Sequence, residues 1–341
     1  MERKNHFERI IGTNEEGEKE RALDFLEKLY ARDAEAGERH RGMYVEKTHE
    51  HEDLFNWSQK LVNEEILKYD ITSKDVPFRK LALVKEGEFE KNEISEIQGA
   101  SSNPLTFNMY EEDTGVAFNF LTVTSHELLH LKSHKAARVK KDGDISLYRS
   151  GLQMADIKDT EAVFGEERIY FDDLEEAVVA ECNKHIREKL LESAQFKENA
   201  SATKEIILVV EEYFRAKDQL TTQNREVIEE IVYIPMASKI LTEILEKAPE
   251  ERGSYAIGYL SSIKELVVSN ERLTERKHLY GLMEAIYEKN SEDFVSPEHV
   301  FSLIAKANFS GHYLELAHLV EKTFGKGSFR KLALETSSKK K

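Results

Sequence analysis

The residues best suited to chemistry lie between Thr124 and His134, in the run TSHELLHLKSH, where His126, Glu127, Leu128, Leu129 and His130 form an HExxH. On a helix, positions i and i+4 stand one turn apart on one face, so both imidazoles can reach a single metal ion at roughly 2.0–2.1 Å. Glu127 lies beside them, where its carboxylate can act on a metal-bound water instead of on the metal. Leu128, Leu129 and Leu131 supply the apolar side such a helix needs in a core. The one cysteine, Cys182, can build neither a thiolate metal site nor an internal disulfide. Any metal must therefore use imidazole and carboxylate.

Two imidazoles are one ligand short of a catalytic zinc site, which has three protein ligands and an open position. The extended His motif does not supply the third: Ser133 stands in place of its glycine, and Ala136 and Ala137 where its last His would be. His134 sits about 12 Å along the axis from His126, too far to share the ion, and is expected to face solvent. The better source is FDDLEEAVVAECNKH, residues 171–185, a helix with Asp172 or Asp173 as its cap. A carboxylate beside Val179 and Ala180 on a buried helix is costly unless paired or metal-bound, and Glu176 fits that description. Glu175 is about 100° round the helix, so at most one of the two should face the site. Glu181 and His185, one turn apart, remain as a supporting pair or an alternative ligand set, as does Glu175.

These residues need a scaffold. Apolar spacing predicts helices over 14–31, with Thr13 and Glu16 as a capping box, and over 52–69. The His-rich stretch between them, including His49 and His51, reads as a solvated loop. Strand-like runs fall at 81–84, 105–110, 116–120 and 145–152, and EEDTG suggests that 105–120 is a hairpin. Helices are then expected over 173–196, 203–219, 224–247, 255–269, 273–289, 297–307 and 311–323. GKGSFRK (325–331) reads as a loop that ends a helix, and ETSSKKK as a disordered tail. The expected fold is α+β and predominantly helical. An N-terminal helical segment (1–75) precedes a catalytic core with a small mixed sheet and an active-site helix (76–196); a helical C-terminal domain (197–330) and a disordered basic tail (331–341) follow.

The 65 acidic against 49 basic residues leave a formal charge of −16, which repels phosphate backbones and anionic lipid and argues against nucleic-acid or membrane partners. No run approaches the length of a spanning helix, and the charged start does not read as a signal peptide. A cytoplasmic location is expected.

HELLH, a following strand with YRSGL, and a helix with LEEAVVAE together resemble the gluzincin branch of HExxH zinc metallopeptidases. They are also similar to uncharacterised bacterial zincin-like proteins whose downstream helix reads LNEAVTEE. The resemblance covers about residues 105–190. It implies a zincin-like core, Zn2+ held by His126, His130 and Glu176, and peptide hydrolysis with Glu127 as general base. Glu175 takes the Asn position of the pattern and Glu181 its final Glu. Ala180 departs from it, replacing an acid that would orient a ligand His; Asn183 or Glu181 would have to take that task. The implied substrate is a peptide or protein, lying extended along the 105–120 hairpin, with Tyr148 or Tyr170 as the candidate for stabilising the oxyanion. Arg149 could pair with a ligand carboxylate or bind a substrate terminus. The rival readings are a non-catalytic zincin scaffold whose helical C-terminal half binds a protein partner, and hydrolysis of a non-peptide amide.

Overall fold

A helix that is apolar on nearly every side belongs in the interior, and the HExxH segment is such a helix. In the computed structural model of the chain, which describes residues 9–31, 44–84, 107–110, 117–155, 168–219, 221, 228, 237–270 and 272–339, the elements run as follows. β1 (Arg9–Ile11), α1 (Glu16–Ala31) and α2 (His49–Leu67) precede β2 (Leu81–Val84) and β3 (Phe107–Tyr110). α3 (Ala117–Lys132) carries the HExxH, and β4 (Lys135–Val139), β5 (Ile145–Ser150), β6 (Gln153–Ala155) and β7 (Arg168–Tyr170) follow it. α4 (Asp172–Glu192) is the helix of Glu175 and Glu176. α5 (Lys197–Ala216), α6 (Ala237–Leu245), α7 (Pro249–Asn270), α8 (Leu273–Lys289), α9 (Pro297–Ser310), α10 (Leu314–Phe324), α11 (Ser328–Glu335) and β8 (Ser338–Lys339) complete the chain.

The class is α+β, mostly helical with a small mixed sheet. Its order is β1-β4-β5-β6-β7-β8, parallel at β1/β4 and antiparallel elsewhere; β2 and β3 form a separate parallel pair. No described helix is long and apolar enough to cross a membrane.

The hairpin expected over 105–120 is not formed. Residues 107–110 pair in parallel with 81–84, and Ala117 onward is already α3; the EEDTG between them lies outside the described residues. The run VAFNF has the alternation of a strand, but a short apolar run fits a buried helix equally well. Phe118, Leu121, Ser125, Leu128 and Leu129, all buried, continue one helical face through it. His49 and His51 also lie in the first turn of α2 and not in a loop: Thr48 caps the helix, with its hydroxyl accepting from the His51 amide while His51 Nδ1 accepts from the Thr48 amide. The Thr13 hydroxyl accepts from the Glu15 amide, two residues on and ahead of α1, which is a local turn and not the expected capping box. Of the segment expected as a helix over 224–247, only residues 228 and 237–247 are among the described residues.

Buried apolar side chains form two clusters. The larger gathers α2, α3 and α4 with α8–α11. The smaller joins α5, α6 and α7 through Ala202, Ile206, Ile240, Ile244 and Ala256. Apolar residues from 273–335 thus share one core with the HExxH helix.

Residues 331–339 are not a disordered tail, and GKGSFRK is not merely a loop. From Ser328 the chain forms α11, whose Ala333 and Thr336 carbonyls accept from the Phe171 and Asp173 amides at 3.4 and 3.1 Å. Phe329 packs on Phe171 with ring centroids 5.0 Å apart, and β8 pairs with β7. Phe171 needs this support. It stands at φ 59°, a left-handed conformation unfavourable for a bulky residue, where it starts the helix of Glu175 and Glu176. The basic character of KKK suggested solvent, whereas Phe329, Leu332 and Ala333 give this end an apolar face. A protein ending at Gly327 should therefore melt roughly 5 °C or more below the full chain. An unchanged midpoint in thermal unfolding would show that these contacts do not hold the start of α4.

Candidate metal centre

α3 presents His126 and His130 on one face, one turn apart, and α4 crosses it with Glu176 toward them. The His126 and His130 Nε2 atoms are 3.1 Å apart. Glu176 Oε1 is 3.6 Å from His130 Nε2, and its Oε2 is 3.9 Å from His126 Nε2. Ligands at 2.0–2.1 Å around a tetrahedral ion stand about 3.3 Å from one another. This triangle brackets that separation, so the three groups could hold a metal ion. Their side chains keep 19%, 15% and 19% exposure in the order His126, His130, Glu176. Glu176 Oε2 is buried and receives no well-aligned hydrogen bond, although Arg272 Nε lies 3.2 Å away.

The other side of the His130 ring is occupied as well. Glu175, fully buried, places Oε1 3.0 Å from His130 Nδ1. Successive helix residues diverge by about 100°, which suggested that only one of the two carboxylates could face the site. An imidazole has two nitrogens on different edges, however, and here each edge meets one of the neighbouring Glu residues. Glu175 thus orients a ligand His, the task for which the sequence pattern has an acid at the position of Ala180. Neither Asn183 nor Glu181 takes it.

Glu175 depends on its surroundings. Lys135, also buried, donates to the His130 carbonyl at 2.7 Å and to Ser150 Oγ, and its charge lies near that of Glu175. Burial lowers the Lys135 ammonium to a pKa of about 8. Gly151, at φ 58°, leaves the space for both Glu175 and Asn308: a Cβ here would come within 3.1 Å of Glu175 Oε1 and 2.2 Å of Asn308 Oδ1. Asn308, on α9, in turn accepts from the Leu152 amide and donates to Ser133 Oγ, which joins the C-terminal helices to the end of α3.

The electrostatics follow from this crowding. Burial, with the charge of His130 next to it, lowers His126 to about 3. Burial also opposes the charge on His130, yet Glu175 and Glu176 outweigh it and raise this imidazole to about 10. Glu127 is partly exposed; burial, with the carboxylates of Glu176 and Glu175, holds its carboxyl above the ordinary range against the pull of His130.

The remaining sequence candidates lie elsewhere. Arg149 is buried, with Nε donating to the Gly151 carbonyl at 2.7 Å, Nη1 to that of Gly311 at 2.8 Å, and its guanidinium 3.9 Å over Tyr313. Such an arginine ties the turn after β5 to the loop after α9. Tyr148 turns its hydroxyl to Met154 Sδ on the next strand, at 3.7 Å, which gives no support to an oxyanion role; Tyr170 is on β7. Glu181 and His185 are outside the metal cluster, engaged with Arg276, Tyr280 and Glu65. They follow Glu176 by five and nine residues, which turns them toward α2 and α8. His134 is buried against Gly311 and does not face solvent. Arg272 and Lys135 carried no signal in the sequence, because charged residues are common along this chain and only the packing of α8 and β4 brings these two to the site.

No family model matches the chain, and no curated protein or solved structure is similar to it.

Two outcomes are expected at this centre. Glu175→Gln should weaken metal binding by about 10–100-fold, the usual effect of losing a group that orients a ligand His; unchanged affinity in a metal titration would remove Glu175 from this role. His130 also holds a proton at neutral pH, since its raised pKa lies above that range, and an incoming ion must displace it. At least one proton per ion should then be released at pH 7, and affinity should fall as pH falls. Calorimetry in two buffers of different ionisation enthalpy would count it, and a count of zero would contradict the assignment.

Proposed function

We propose that the chain is a zinc-dependent peptidase with a zincin-like core, acting on peptide or protein substrates in the cytoplasm. The observation that carries this reading is the convergence of His126, His130 and Glu176 ligand atoms on one point beside Glu127, on side chains that are only partly buried. A structural site is closed by four protein ligands, whereas three with an open side suit catalysis. Zinc matches a donor set of two imidazoles and one carboxylate, and when bound it would polarise a scissile carbonyl and lower the pKa of water. The peptide substrate class is supported by the likeness of HELLH and LEEAVVAE to gluzincin motifs.

The chain's own groups have distinct tasks. The Nδ1–H of His130 donates to Glu175, which leaves the Nε2 lone pair directed at the ligand triangle. Glu127 takes a proton from the attacking water and hands it to the leaving amine nitrogen. Its raised pKa suits both transfers, because a base with an ordinary carboxylate pKa would hold the proton too weakly to be effective near neutrality. Arg272 neutralises part of the negative charge that Glu175, Glu176 and Glu127 concentrate here.

Elemental analysis of purified protein, with cleavage of a casein or peptide-library substrate on the same samples, tests the reading. Wild type should carry near-stoichiometric zinc and cleave peptides; Glu176→Ala should lose the metal. Glu127→Gln should keep zinc while hydrolysis falls by at least about a hundredfold. A wild type without zinc would overturn the metal assignment. A zinc-loaded wild type that cleaves no peptide would overturn the peptidase assignment in favour of a scaffold or another amide substrate.

A further inference from the structure

The two carboxylate oxygens of Glu176 have different surroundings. Oε1 lies 3.6 Å from His130 Nε2. Oε2 is buried, lies 3.9 Å from His126 Nε2, and has Arg272 Nε at 3.2 Å. A guanidinium stays charged at every ordinary pH and carries only N–H donors, so Oε2 has a permanent cation beside it and Arg272 cannot itself ligate a metal. Arg272 Nη1 also stands 3.8 Å from Glu275 Oε1.

The packing of α8 on α4 places this cation. Arg272 immediately precedes α8, at φ 50°, a left-handed conformation that a long side chain adopts at a cost. Four residues on, the buried Arg276 donates from Nε to Glu181 Oε2 at 3.0 Å. Residues 272 and 276 are about one turn apart, as are 176 and 181 on α4, so the Arg276–Glu181 pair sets the register in which Arg272 meets Glu176. The Arg272 side chain is 40% exposed, and an ion pair of that kind contributes little to stability. Its effect is local: a cation at Oε2 repels a second cation from the same oxygen.

We propose that Arg272 is a positioning residue of the metal centre, which holds Glu176 Oε2 off a bound ion so that Glu176 contributes Oε1 alone. The inference rests on His126, His130 and Glu176 binding a metal, and is independent of the substrate. Without Arg272, both oxygens of Glu176 could bind the ion, and a fourth protein ligand atom would occupy a position that a catalytic site leaves to water or substrate. The same cation opposes a divalent ion nearby, so Arg272 lowers metal affinity while it keeps that position open.

The test is titration of the chelator-treated full chain with cobalt(II), whose visible absorption is intense with four ligand atoms and much weaker with five, and separately with zinc. Wild type should develop the intense band. Arg272→Asn removes the cation and suits the left-handed backbone better than arginine does, so the thermal midpoint of the metal-free chain should not fall. Its cobalt band should nevertheless drop severalfold, and zinc should bind about threefold or more tighter. Arg272→Gln serves in the same way if the first variant does not fold. Arg272→Lys keeps a cation whose Nζ, one bond further from the backbone than arginine Nε, can reach Oε2, and it should restore the intense band. A weak band in wild type, an unchanged band in Arg272→Asn, or a band in Arg272→Lys as weak as in Arg272→Asn would each overturn the role of Arg272. Failure of wild type to take up either ion would overturn the metal centre itself, a result read without any Arg272 variant.

Discussion

The imidazole of His130 lies between two consecutive carboxylates, Glu175 at Nδ1 and Glu176 near Nε2, and much of the surrounding structure serves to keep it there. A fully buried carboxylate such as Glu175 is costly without partners. It is tolerated because His130 meets one oxygen, the charge of Lys135 lies nearby, and Gly151 gives it room. Each of these comes from a different element, α3, β4 and the turn after β5. The orientation of one ligand thus depends on the sheet as much as on the two helices that carry the cluster.

α4 is the element that this arrangement requires to be held most firmly, and it is fixed at several points. Its start is strained at Phe171, where α11 and β8 supply packing and backbone acceptors. Along its length, Arg272 and Arg276 at the start of α8 meet Glu176 and Glu181, and Glu65 on α2 meets His185. A buried pair such as Arg276–Glu181 contributes little net stability, but breaking it leaves an uncompensated charge, so it discriminates against other registers of the helices. The C-terminal third therefore positions the site directly. Chain order separates it from the HExxH, while the shared apolar cluster joins them.

What the sequence determined by itself was whatever depends on local spacing. The i, i+4 separation put His126 and His130 on one face, with Glu127 beside them, and the cost of a carboxylate in an apolar helix singled out Glu176. The strand at 81–84 and the helix at 273–289 were legible for the same reason, since their apolar periods and flanking residues are local. Other features were decided only in three dimensions. Residues 117–120 of that run became helix because a short apolar run fits a buried helix as well as a strand. Arg149 reached the Gly311 carbonyl, and Glu181 and His185 a separate cavity, because Gly311, Arg276, Tyr280 and Glu65 lie 95 to 162 residues from them in sequence and no local pattern encodes such contacts. Glu175 met His130 because an imidazole can be approached from two edges at once, a property of the folded pair and not of the spacing between the residues.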